Sequence, residues 1–417
     1  MWQQTKNVYH LSQALTAHAI HGFPARGVVF IGVTGTDGKT TTASMIYHIL
    51  HKAGQKVALI STVAAIINGN TIDTGFHVTT PDPWLIPKYI KLAKKAGSKY
   101  IILETTSHAL DQNRVFGIPF HIGVLTNVTH EHLDYHKTYE KYVDAKFKLL
   151  KNSKIAIVNR DDRSYEQISN LKSHTPRVLA SLKRRISKTK LKDQKMVTYG
   201  MQANTDVNPE VFPFETNLLG DFNKYNCLAA ISVCLSLGID PLVIRSGLED
   251  FTPPVGRTEI VFQKDFTVMI DFAHTPNSIE NILQSIKKEM QPKGKIIHVF
   301  GSAGRRDASK RPLMGEASDK YADIIILTAE DPRDERIEDI NKQILFGIKN
   351  QESRIKNQGL YIISDRQEAI EKAISLAQSG DVVVVTGKGH EKSMNMGKGE
   401  IPWSDHEAVR NALKAKT

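Results

Sequence analysis

Short apolar runs alternate along most of this chain with longer stretches in which apolar and polar residues follow a helical period. Buried parallel strands read as continuous apolar runs, and helices connect such strands, so the alternation predicts an α/β fold with mostly parallel sheets. The predicted strands are residues 28–31, 57–60, 100–103, 122–125, 155–158, 268–270, 295–300, 324–327, 361–363 and 382–386.

A break in this pattern predicts the domain organisation. A helical pattern over residues 239–251 is followed directly by Pro253 and Pro254, which should end the helix and begin a linker. We therefore place a boundary near 252–257. The predicted regions are a short N-terminal segment (1–27), a first domain (28–252) and a second domain (253–417). A chain of 417 residues can bury a core in each domain.

Composition narrows the class of protein. The chain is 41% hydrophobic, yet no stretch approaches the roughly 20 apolar residues that a membrane span needs. Its first residues do not resemble a signal peptide, so we expect a cytoplasmic globular protein. Cys227 and Cys234 lie seven residues apart on one predicted helix, which favours two buried thiols over a disulfide or a metal site.

The net charge of +11 has a regional origin. Residues 151–195 contain 13 Lys and Arg but only 4 Asp and Glu, and the basic cluster at 183–190 has no interleaved aromatic residue for base stacking. We predict a solvated surface insertion there and do not expect nucleic-acid binding. A patch for an unidentified anionic partner is the alternative.

A glycine-rich turn directly after the first predicted strand carries the most specific motif. Residues 32–42 read Gly-Val-Thr-Gly-Thr-Asp-Gly-Lys-Thr-Thr-Thr. Backbone N–H groups of such a turn cradle phosphates, Lys39 would reach the β- and γ-phosphates, and the Thr40 hydroxyl would ligate Mg²⁺. The helix should begin at about Thr41. The ordinary phosphate-loop pattern has glycine where this chain has Val33, so the match is to a variant.

Polar residues follow the next strands of the predicted sheet. Glu104 ends one strand, and His132 lies in the loop after the next. Ligands gather at the carboxyl ends of parallel strands, so both side chains are candidate Mg²⁺ neighbours together with Thr40. Oxygen ligands are usual for Mg²⁺, which makes the histidine the unusual member of the set.

Seven motifs in order along the chain carry a family resemblance. They are Gly35-Thr-Asp-Gly-Lys-Thr40, Glu104-Thr-Thr-Ser-His108, Asn127-x4-His132-Leu-Asp134, Gly220-Asp-Phe-Asn223-x2-Asn226, Gly256-Arg257-x-Glu259, Asp271-Phe-Ala-His274-Thr-Pro276 and Thr386-Gly-Lys-Gly-His-Glu391. This set resembles the Mur ligases of peptidoglycan synthesis, and among them most closely the enzymes that add the third amino acid. The resemblance implies a P-loop central ATPase domain and a C-terminal Rossmann-like domain. It also implies an ATP-dependent, Mg²⁺-dependent ligase that forms an amide through an acyl phosphate.

The resemblance also implies roles for individual residues. One Mg²⁺ would lie at Thr40 and Glu104, and a second near His132 and Lys146, a lysine that the family carbamylates. The implied ATP contacts are Gly35, Thr36, Asp37, Gly38, Lys39, Thr40, Thr41, Asn223, Asn226, Arg257, Asp271 and His274. The implied contacts to the muramoyl-dipeptide acceptor are Thr79, Thr80, Thr106, Gln112 and Arg114. The implied contacts to the incoming amino acid are Arg311, Glu330, Asp331, Pro332, Arg333, Gly387 and Glu391.

Two departures from the family pattern leave alternatives open. Diaminopimelate-adding enzymes carry Asp-Asn-Pro-Arg where this chain has Glu330-Asp331-Pro332-Arg333, so diaminopimelate is the expected amino acid and lysine the alternative. Family members also carry an N-terminal domain that holds the UDP group, whereas 27 residues precede the first core strand here. An archaeal pseudomurein peptide ligase, a folylpolyglutamate synthase and a non-enzymatic nucleotide-regulated protein are the competing interpretations.

Overall fold

The structure, a computed structural model, describes residues 2–72, 80–173 and 194–416. The chain forms two compact units. The N-terminal unit comprises Met1–Thr129, Thr138–Asn217 and Phe222–Thr252, and the C-terminal unit comprises His130–Lys137, Leu218–Asp221 and Pro253–Thr417. Thr79 and the basic cluster at 183–190 lie outside the described residues.

The N-terminal unit is built on an eight-stranded sheet with the order β4-β3-β2-β5-β1-β6-β7-β8. The six strands from β2 to β8 in this order are parallel, and β3 and β4 extend the β2 edge as antiparallel strands. The strands are β1 (Val29–Thr34), β2 (Val57–Ile60), β3 (Ala65–Ile67), β4 (Asn70–Ile72), β5 (Tyr100–Glu104), β6 (Phe120–Leu125), β7 (Ile155–Asn159) and β8 (Lys195–Tyr199).

Helices cover this sheet because its central strands are buried on both faces, as in parallel sheets generally. The helices up to residue 249 are α1 (Trp2–Ile20), α2 (Lys39–Lys52), α3 (Leu85–Lys95), α4 (Ser107–Asp111), α5 (Leu133–His136), α6 (Tyr139–Lys151), α7 (Ser164–Ser173), α8 (Asp221–Ser236) and α9 (Pro241–Glu249). Helix α5 belongs to the C-terminal unit. Cys227 and Cys234 are buried, unbonded thiols on α8, which confirms the prediction for them.

The C-terminal unit contains a six-stranded sheet with the order β13-β12-β11-β14-β10-β9. Only the edge strand β9 is antiparallel to its neighbour, and a separate two-stranded sheet follows near the end of the chain. The strands are β9 (Glu259–Gln263), β10 (Thr267–Asp271), β11 (Ile296–Phe300), β12 (Ile324–Leu327), β13 (Leu360–Ile362), β14 (Val382–Thr386), β15 (Ser393–Asn395) and β16 (Glu400–Pro402). The helices are α10 (Pro276–Ser285), a π-helical turn (Ile286–Met290), α11 (Lys310–Tyr321), α12 (Ile337–Leu345), α13 (Gln351–Lys356), α14 (Arg366–Leu376) and α15 (Asp405–Lys416).

The α/β fold with mostly parallel sheets is confirmed, and all ten predicted strands are present with small shifts of their ends. Helix α2 begins at Lys39 and not at Thr41, because Gly38 at φ +80° is its N-cap. The predicted helix over 239–251 is shorter, since Asp240 accepts a 2.7 Å hydrogen bond from the N–H of Leu242 and caps α9 at its start. In the described part of the chain, no helix is both long and apolar enough to cross a membrane.

Candidate functional site

In the N-terminal unit, the first residues to examine are those at the carboxyl end of β1. β1 lies between β5 and β6. The chain runs from β1 to β2 on the β5 side of the sheet, and from β5 across β1 to β6 on the other side. The ends of β5, β1 and β6 therefore form a topological switch point, where open α/β sheets bind ligands. The glycine-rich turn, Glu104 and the segment after β6 all lie there.

The glycine-rich turn after β1 is held by the segment that follows β6. The N–H of Thr36 donates to the Asn127 carbonyl at 2.9 Å, and the N–H of Asp37 donates to Asn127 Oδ1 at 2.9 Å. The Thr126 hydroxyl donates to the Asp37 carbonyl at 2.7 Å. A Cβ at Gly35 would lie 1.7 Å from Thr126 Oγ1, so only glycine allows this close approach. The backbone of the turn is thus fixed in shape before any ligand binds.

The start of α2 is anchored to the amide groups of α8. The Thr42 hydroxyl donates to Asn226 Oδ1 at 3.1 Å, and Asn226 Nδ2 donates to Asn223 Oδ1 at 2.9 Å. A Cβ at Gly38 would lie 2.3 Å from Asn226 Oδ1, which explains a second glycine of the motif. Lys39 Nζ donates to the Thr36 carbonyl at 2.7 Å, so its ammonium lies against the turn.

Thr40 and Glu104 are in direct contact. The Thr40 hydroxyl lies 3.0 and 3.1 Å from the two carboxylate oxygens of Glu104, and both side chains are buried. The N–H of Thr62 donates to Glu104 Oε2 at 3.0 Å, which fixes the carboxylate. A hydroxyl and a buried carboxylate form an oxygen-donor set suited to Mg²⁺.

Lys146 is a buried lysine of α6. Its side chain is only 1% exposed, donates to the Gly35 carbonyl at 2.6 Å and lies 4.4 Å from the centre of the Tyr142 ring. Tyr142 OH is in turn 3.1 Å from the Thr36 hydroxyl. Lys146 is therefore not a surface lysine of an amphipathic helix but contacts the turn itself.

His132 lies in the other unit, in the segment His130–Lys137. It adopts a left-handed conformation at φ 58°, and its Nδ1 lies 3.7 Å from Glu131 Oε1. Within residues 2–72, 80–173 and 194–416, no group of three or more His, Cys, Asp or Glu side chains is arranged to hold a metal ion. A metal at Thr40 and Glu104 would therefore need further ligands from other sources.

The predicted acceptor residues that the structure describes form two small groups. Thr80 and Thr106 are joined, because the N–H of Thr106 donates to Thr80 Oγ1 at 2.9 Å, and Thr80 also donates to the Glu104 carbonyl at 3.3 Å. Arg114 Nε donates to the buried Gln112 Oε1 at 2.8 Å. The first group is thus attached directly to the strand end that carries Glu104.

The C-terminal unit has its own switch point, at the carboxyl ends of β10, β14 and β11. Asp271 ends β10 and accepts hydrogen bonds from the N–H groups of Thr258 and Ala273 at 2.6 and 2.7 Å. Burial raises the pKa of Asp271, and the nearby Arg257 guanidinium opposes that rise.

Two further nucleotide candidates both contact Phe272. Arg257 lies 4.4 Å from the Phe272 ring centre, and His274 Nδ1 lies 2.9 Å from the Phe272 carbonyl oxygen. Arg257, Asp271 and His274 therefore form one cluster at the end of β10.

Four polar residues lie together at the ends of β12 and β14. Three of them, Glu330, Asp331 and Glu391, are predicted contacts to the amino acid, and Lys388 is not. Lys388 is fully buried, donates to Asp331 Oδ1 at 2.8 Å and forms an ion pair with Glu391. Burial alone would lower the pKa of Lys388, but the carboxylates of Glu391 and Asp331 raise it overall. Glu330 is buried beside Gly387, where a Cβ would lie 3.1 Å from Glu330 Oε2.

The two predicted arginines of this unit differ in their surroundings. Arg311 is 1% exposed, and its Nη1 donates to Glu335 and Gln343 at 2.8 Å each. Arg333 follows the buried Pro332 and adopts φ 54°, with its Nη1 donating to the Gly304 carbonyl at 2.6 Å. Arg311 is therefore already part of a buried network, whereas Arg333 is only half-buried.

An ion pair that the sequence did not predict holds the ends of β12 and β14 together. Arg366 on α14 and Asp405 on α15 are fully buried and form two hydrogen bonds of 2.8 and 2.9 Å. Arg366 also donates to the carbonyls of Ala329 and Thr386 at 3.2 and 2.9 Å. These carbonyls directly precede Glu330 and Gly387, so the guanidinium holds the two loops next to each other.

Comparison with known proteins decides the family. Residues 33–234 match the Mur ligase middle domain, and residues 256–389 match the Mur ligase glutamate ligase domain. The chain belongs to the Mur ligase family. It is 40% identical over 95% of its length to the UDP-N-acetylmuramoyl-L-alanyl-D-glutamate–2,6-diaminopimelate ligase of Aquifex aeolicus, and covers 80% of that relative. The relative of the same name from Geobacillus thermodenitrificans is 35% identical, with 97% and 83% of the two chains covered.

Solved structures agree with this membership. A structure of a UDP-N-acetylmuramoyl-L-alanyl-D-glutamate–2,6-diaminopimelate ligase is 29% identical, with a TM-score of 0.59, and the match covers 94% of this Mur ligase and 79% of that chain. A Mycobacterium tuberculosis folylpolyglutamate synthase, solved with ADP and AMPPCP, has a TM-score of 0.68 at 16% identity and covers 90% and 92% of the two chains. The second likeness shows a shared fold only.

Several residues that shape the site of this Mur ligase were missed from the sequence. Asn127 belongs to a motif already noted, so its position directly after a strand end was an available signal for a contact to the turn. Lys388 likewise lies inside the motif at 386–391. Arg366 and Asp405 are separated by 38 residues and belong to no motif, so no local pattern predicts their pairing.

Proposed function

We propose that this Mur ligase joins meso-diaminopimelate to the muramoyl dipeptide UDP-N-acetylmuramoyl-L-alanyl-D-glutamate, with conversion of ATP to ADP and phosphate, in peptidoglycan synthesis. The observation that carries the proposal is the phosphate cradle at the end of β1 with Thr40 and Glu104 in contact beneath it. The names of relatives up to 40% identical over nearly the whole chain supply the reaction. ATP as co-substrate also supports a cytoplasmic location.

The reaction requires an activated acyl group, because a carboxylate is a poor acyl donor. A carboxylate oxygen of the acceptor attacks the γ-phosphorus of ATP, the bond to the bridging oxygen breaks, and ADP leaves. The amine of the incoming amino acid then attacks the acyl phosphate, loses a proton and expels phosphate. Lys39 and the N–H groups of the turn stabilise the negative charge that develops on the transferred phosphoryl group.

Mg²⁺ fits the chemistry of Thr40 and Glu104, which would hold it through the threonine hydroxyl and a carboxylate oxygen. The ion would neutralise phosphate charge when bound. The N–H of Thr62 on Glu104 Oε2 keeps the carboxylate oriented in the protein itself. His132 and Lys146 are proposed for a second ion.

A carbamylated Lys146 is compatible with its present contact. The ammonium donates to the Gly35 carbonyl. A carbamate nitrogen keeps one N–H, so this hydrogen bond can persist while the two new oxygens carry the negative charge that a metal needs. Lys146→Ala should be nearly inactive and partly rescued by a short carboxylic acid, measured by phosphate release. An alanine variant with wild-type activity would exclude the modification as a requirement.

The remaining predicted residues are proposed for the three substrates. Thr41, Asn223, Asn226, Arg257, Asp271 and His274 would contribute to the nucleotide site, and Thr79, Thr80, Thr106, Gln112 and Arg114 to the acceptor site. For the amino acid, Arg333 is the better candidate for the distal carboxylate, because Arg311 is already bonded to Glu335 and Gln343. Glu391 would receive the distal ammonium.

A phosphate-release assay tests the proposal directly. Wild-type enzyme with ATP, the UDP-linked dipeptide and a panel of amino acids should release phosphate fastest with meso-diaminopimelate. Arg333→Ala should lose about 2–4 kcal/mol of kcat/KM for diaminopimelate, the scale of a lost buried charge contact, and should approach the value for lysine. The exposed Arg336→Ala is the control in the same loop. A wild-type preference for lysine would contradict the assignment.

A folate ligase remains the second candidate because of the fold it shares with folylpolyglutamate synthase. The same assay separates the two. A folate acceptor with glutamate should give no phosphate release above background, whereas the muramoyl dipeptide should. The opposite result would replace the proposed substrates while leaving the ATP-dependent ligase chemistry in place.

A further inference from the structure

Glu330 is an unusual carboxylate in the C-terminal unit. It follows β12 by three residues, is 8% exposed, and its Oε2 accepts no hydrogen bond from the described residues. Gly387, at φ +109°, has no side chain to cover it, because a Cβ there would lie 3.1 Å from Oε2. The carboxylate therefore lies at the junction of the β12 and β14 ends, inside the proposed amino-acid site.

The three cations whose charges act most strongly on Glu330 among the described residues each already have a carboxylate partner. Lys310 is paired with Glu131 at 3.2 Å, Lys388 with Asp331 and Glu391, and Arg366 with Asp405. Asp331 adds a neighbouring negative charge. No charge is left over among these groups to match an ionised Glu330.

The balance of these effects determines the charge of Glu330. Burial raises its pKa to about 8, and Asp331 adds to the rise, while Lys310, Lys388 and Arg366 oppose it. At pH 7 the group is mostly a neutral acid, and above pH 8 it is a buried anion. Its neighbour Asp331 instead has a cation beside it, Lys388 at 2.8 Å.

We propose that Glu330 determines the choice between two kinds of amino acid. In its neutral form it favours a side chain that ends in both an ammonium and a carboxylate, as in diaminopimelate, and in its ionised form it favours a side chain that ends in an ammonium alone, as in lysine. The physical reason is the attraction or repulsion between one buried charge and the distal carboxylate, which diaminopimelate has and lysine lacks. This inference rests on the proposed function.

The experiment measures the ratio of kcat/KM for diaminopimelate to that for lysine between pH 6.5 and 9.5. The ratio cancels ionisations of the enzyme that affect both substrates equally. In the wild type it should fall about tenfold as the pH rises through 8, the order expected for one charge at partial screening. In Glu330→Gln it should stay flat. Glu352→Gln, an exposed glutamate on α13, should follow the wild type. If turnover with lysine is too slow, its inhibition constant against diaminopimelate replaces kcat/KM.

A second measurement needs no turnover. In wild-type protein with ¹³C-labelled glutamate carboxyl groups, the NMR signal that disappears in Glu330→Gln should titrate near pH 8. Added lysine should move that midpoint to lower pH, because it favours the ionised form. Added diaminopimelate should not lower the midpoint. Glu330→Asp identifies the same signal if the glutamine variant does not fold.

The outcomes separate the two proposals. Absence of phosphate release with every amino acid contradicts the proposed function, and the NMR titration still reports on Glu330. Turnover with a ratio that does not change with pH, a fall that persists in Glu330→Gln, or a Glu330 signal that titrates near pH 4.5 overturns the inference about Glu330.

Discussion

The phosphate turn does not depend on the side chain of Lys39 for its shape. Asn127 and Thr126 hold the backbone of residues 36 and 37 through four hydrogen bonds, and Gly38 caps α2. The Lys39 ammonium donates to the Thr36 carbonyl. The charge of Lys39 can therefore be removed without changing the shape of the turn.

Lys39→Ala should accordingly abolish ligation and leave the fold intact. We expect phosphate release to fall at least about a thousandfold, since a cation is removed from the transferred phosphoryl group. The melting temperature should stay close to that of the wild type. Lys91→Ala, an exposed lysine on α3, is the control for both readings. Activity within a few-fold of wild type would refute the role of the cradle.

His298 gives the protein a specific sensitivity to acid. Its ring is buried on β11, between Ser318 and the hydroxyl of Thr386 at 2.9 and 3.0 Å, and stacks on Phe300. Burial, with a smaller effect of Arg366, lowers the pKa of His298 from 6.5 to about 3. The unfolded chain therefore binds a proton between these pH values that the folded chain does not.

The stability that neutral His298 provides should be complete above about pH 6.5 and decrease as the pH falls toward 3. We expect the free energy of unfolding of the wild type to fall more steeply than that of His298→Gln, by up to about 1.4 kcal/mol per pH unit. Urea unfolding at pH 7, 6 and 5 measures the two slopes. His51→Gln, on the exposed face of α2, should keep the wild-type slope. Equal slopes for wild type and His298→Gln would contradict the assignment.

At the scale of elements, the ion pair between α14 and α15 joins two helices to two strand ends. Arg366→Met leaves Asp405 buried without its cation, and we expect a loss of about 3–5 kcal/mol in the free energy of unfolding. The double variant Arg366→Met with Asp405→Leu should recover much of that loss, because it removes both charges. Urea denaturation of the four members of this cycle measures the coupling. Additive losses in the double variant would show that the pair is not coupled.

The sequence predicts strands well where burial on both faces makes them continuous apolar runs, as in β2, β12 and β14. It does not predict the short antiparallel edges. The hairpin of β3 and β4 had a signal, since Asn68-Gly69 with φ 49° and 81° is typical of a two-residue hairpin turn. β9 is half-exposed and lacks the continuous apolar run by which the other strands were found.

Site residues divide in the same way. The contact of Thr40 with Glu104 follows from a motif and a strand end, which are both local patterns. The buried state of Arg311 and the pairing of Arg366 with Asp405 depend on packing between distant helices. No local or periodic pattern in the sequence predicts such packing.

At the scale of the whole molecule, residues 253–417 contain both sheets of the C-terminal unit. The segment His130–Lys137 belongs to the same unit and supplies the carboxylate that pairs with Lys310. Lys310 is buried and takes both carboxylate oxygens of Glu131, at 3.2 and 3.3 Å. A fragment of residues 253–417 lacks Glu131, so it keeps a complete sheet and loses the carboxylate that matches a buried cation.

We expect this fragment to fold, with a cooperative thermal transition at a lower temperature than the matching fragment that carries Lys310→Met. The substitution removes the unmatched charge, whose cost is about 3–5 kcal/mol. Circular dichroism melting of the two fragments makes the comparison. In the full chain the same substitution should be destabilising, because it leaves Glu131 unmatched. A fragment without a cooperative transition in either form would show that the unit does not fold alone.

The strand order of the C-terminal sheet has a consequence for biosynthesis. β14 lies between β10 and β11, yet it is made more than 80 residues after β11. Until β14 leaves the ribosome, the two strands that flank it have no common partner and expose unpaired edges. The sheet of the C-terminal unit can therefore be completed only after β14 has been synthesised. The nascent chain should depend most on chaperones in the interval between the emergence of β11 and that of β14.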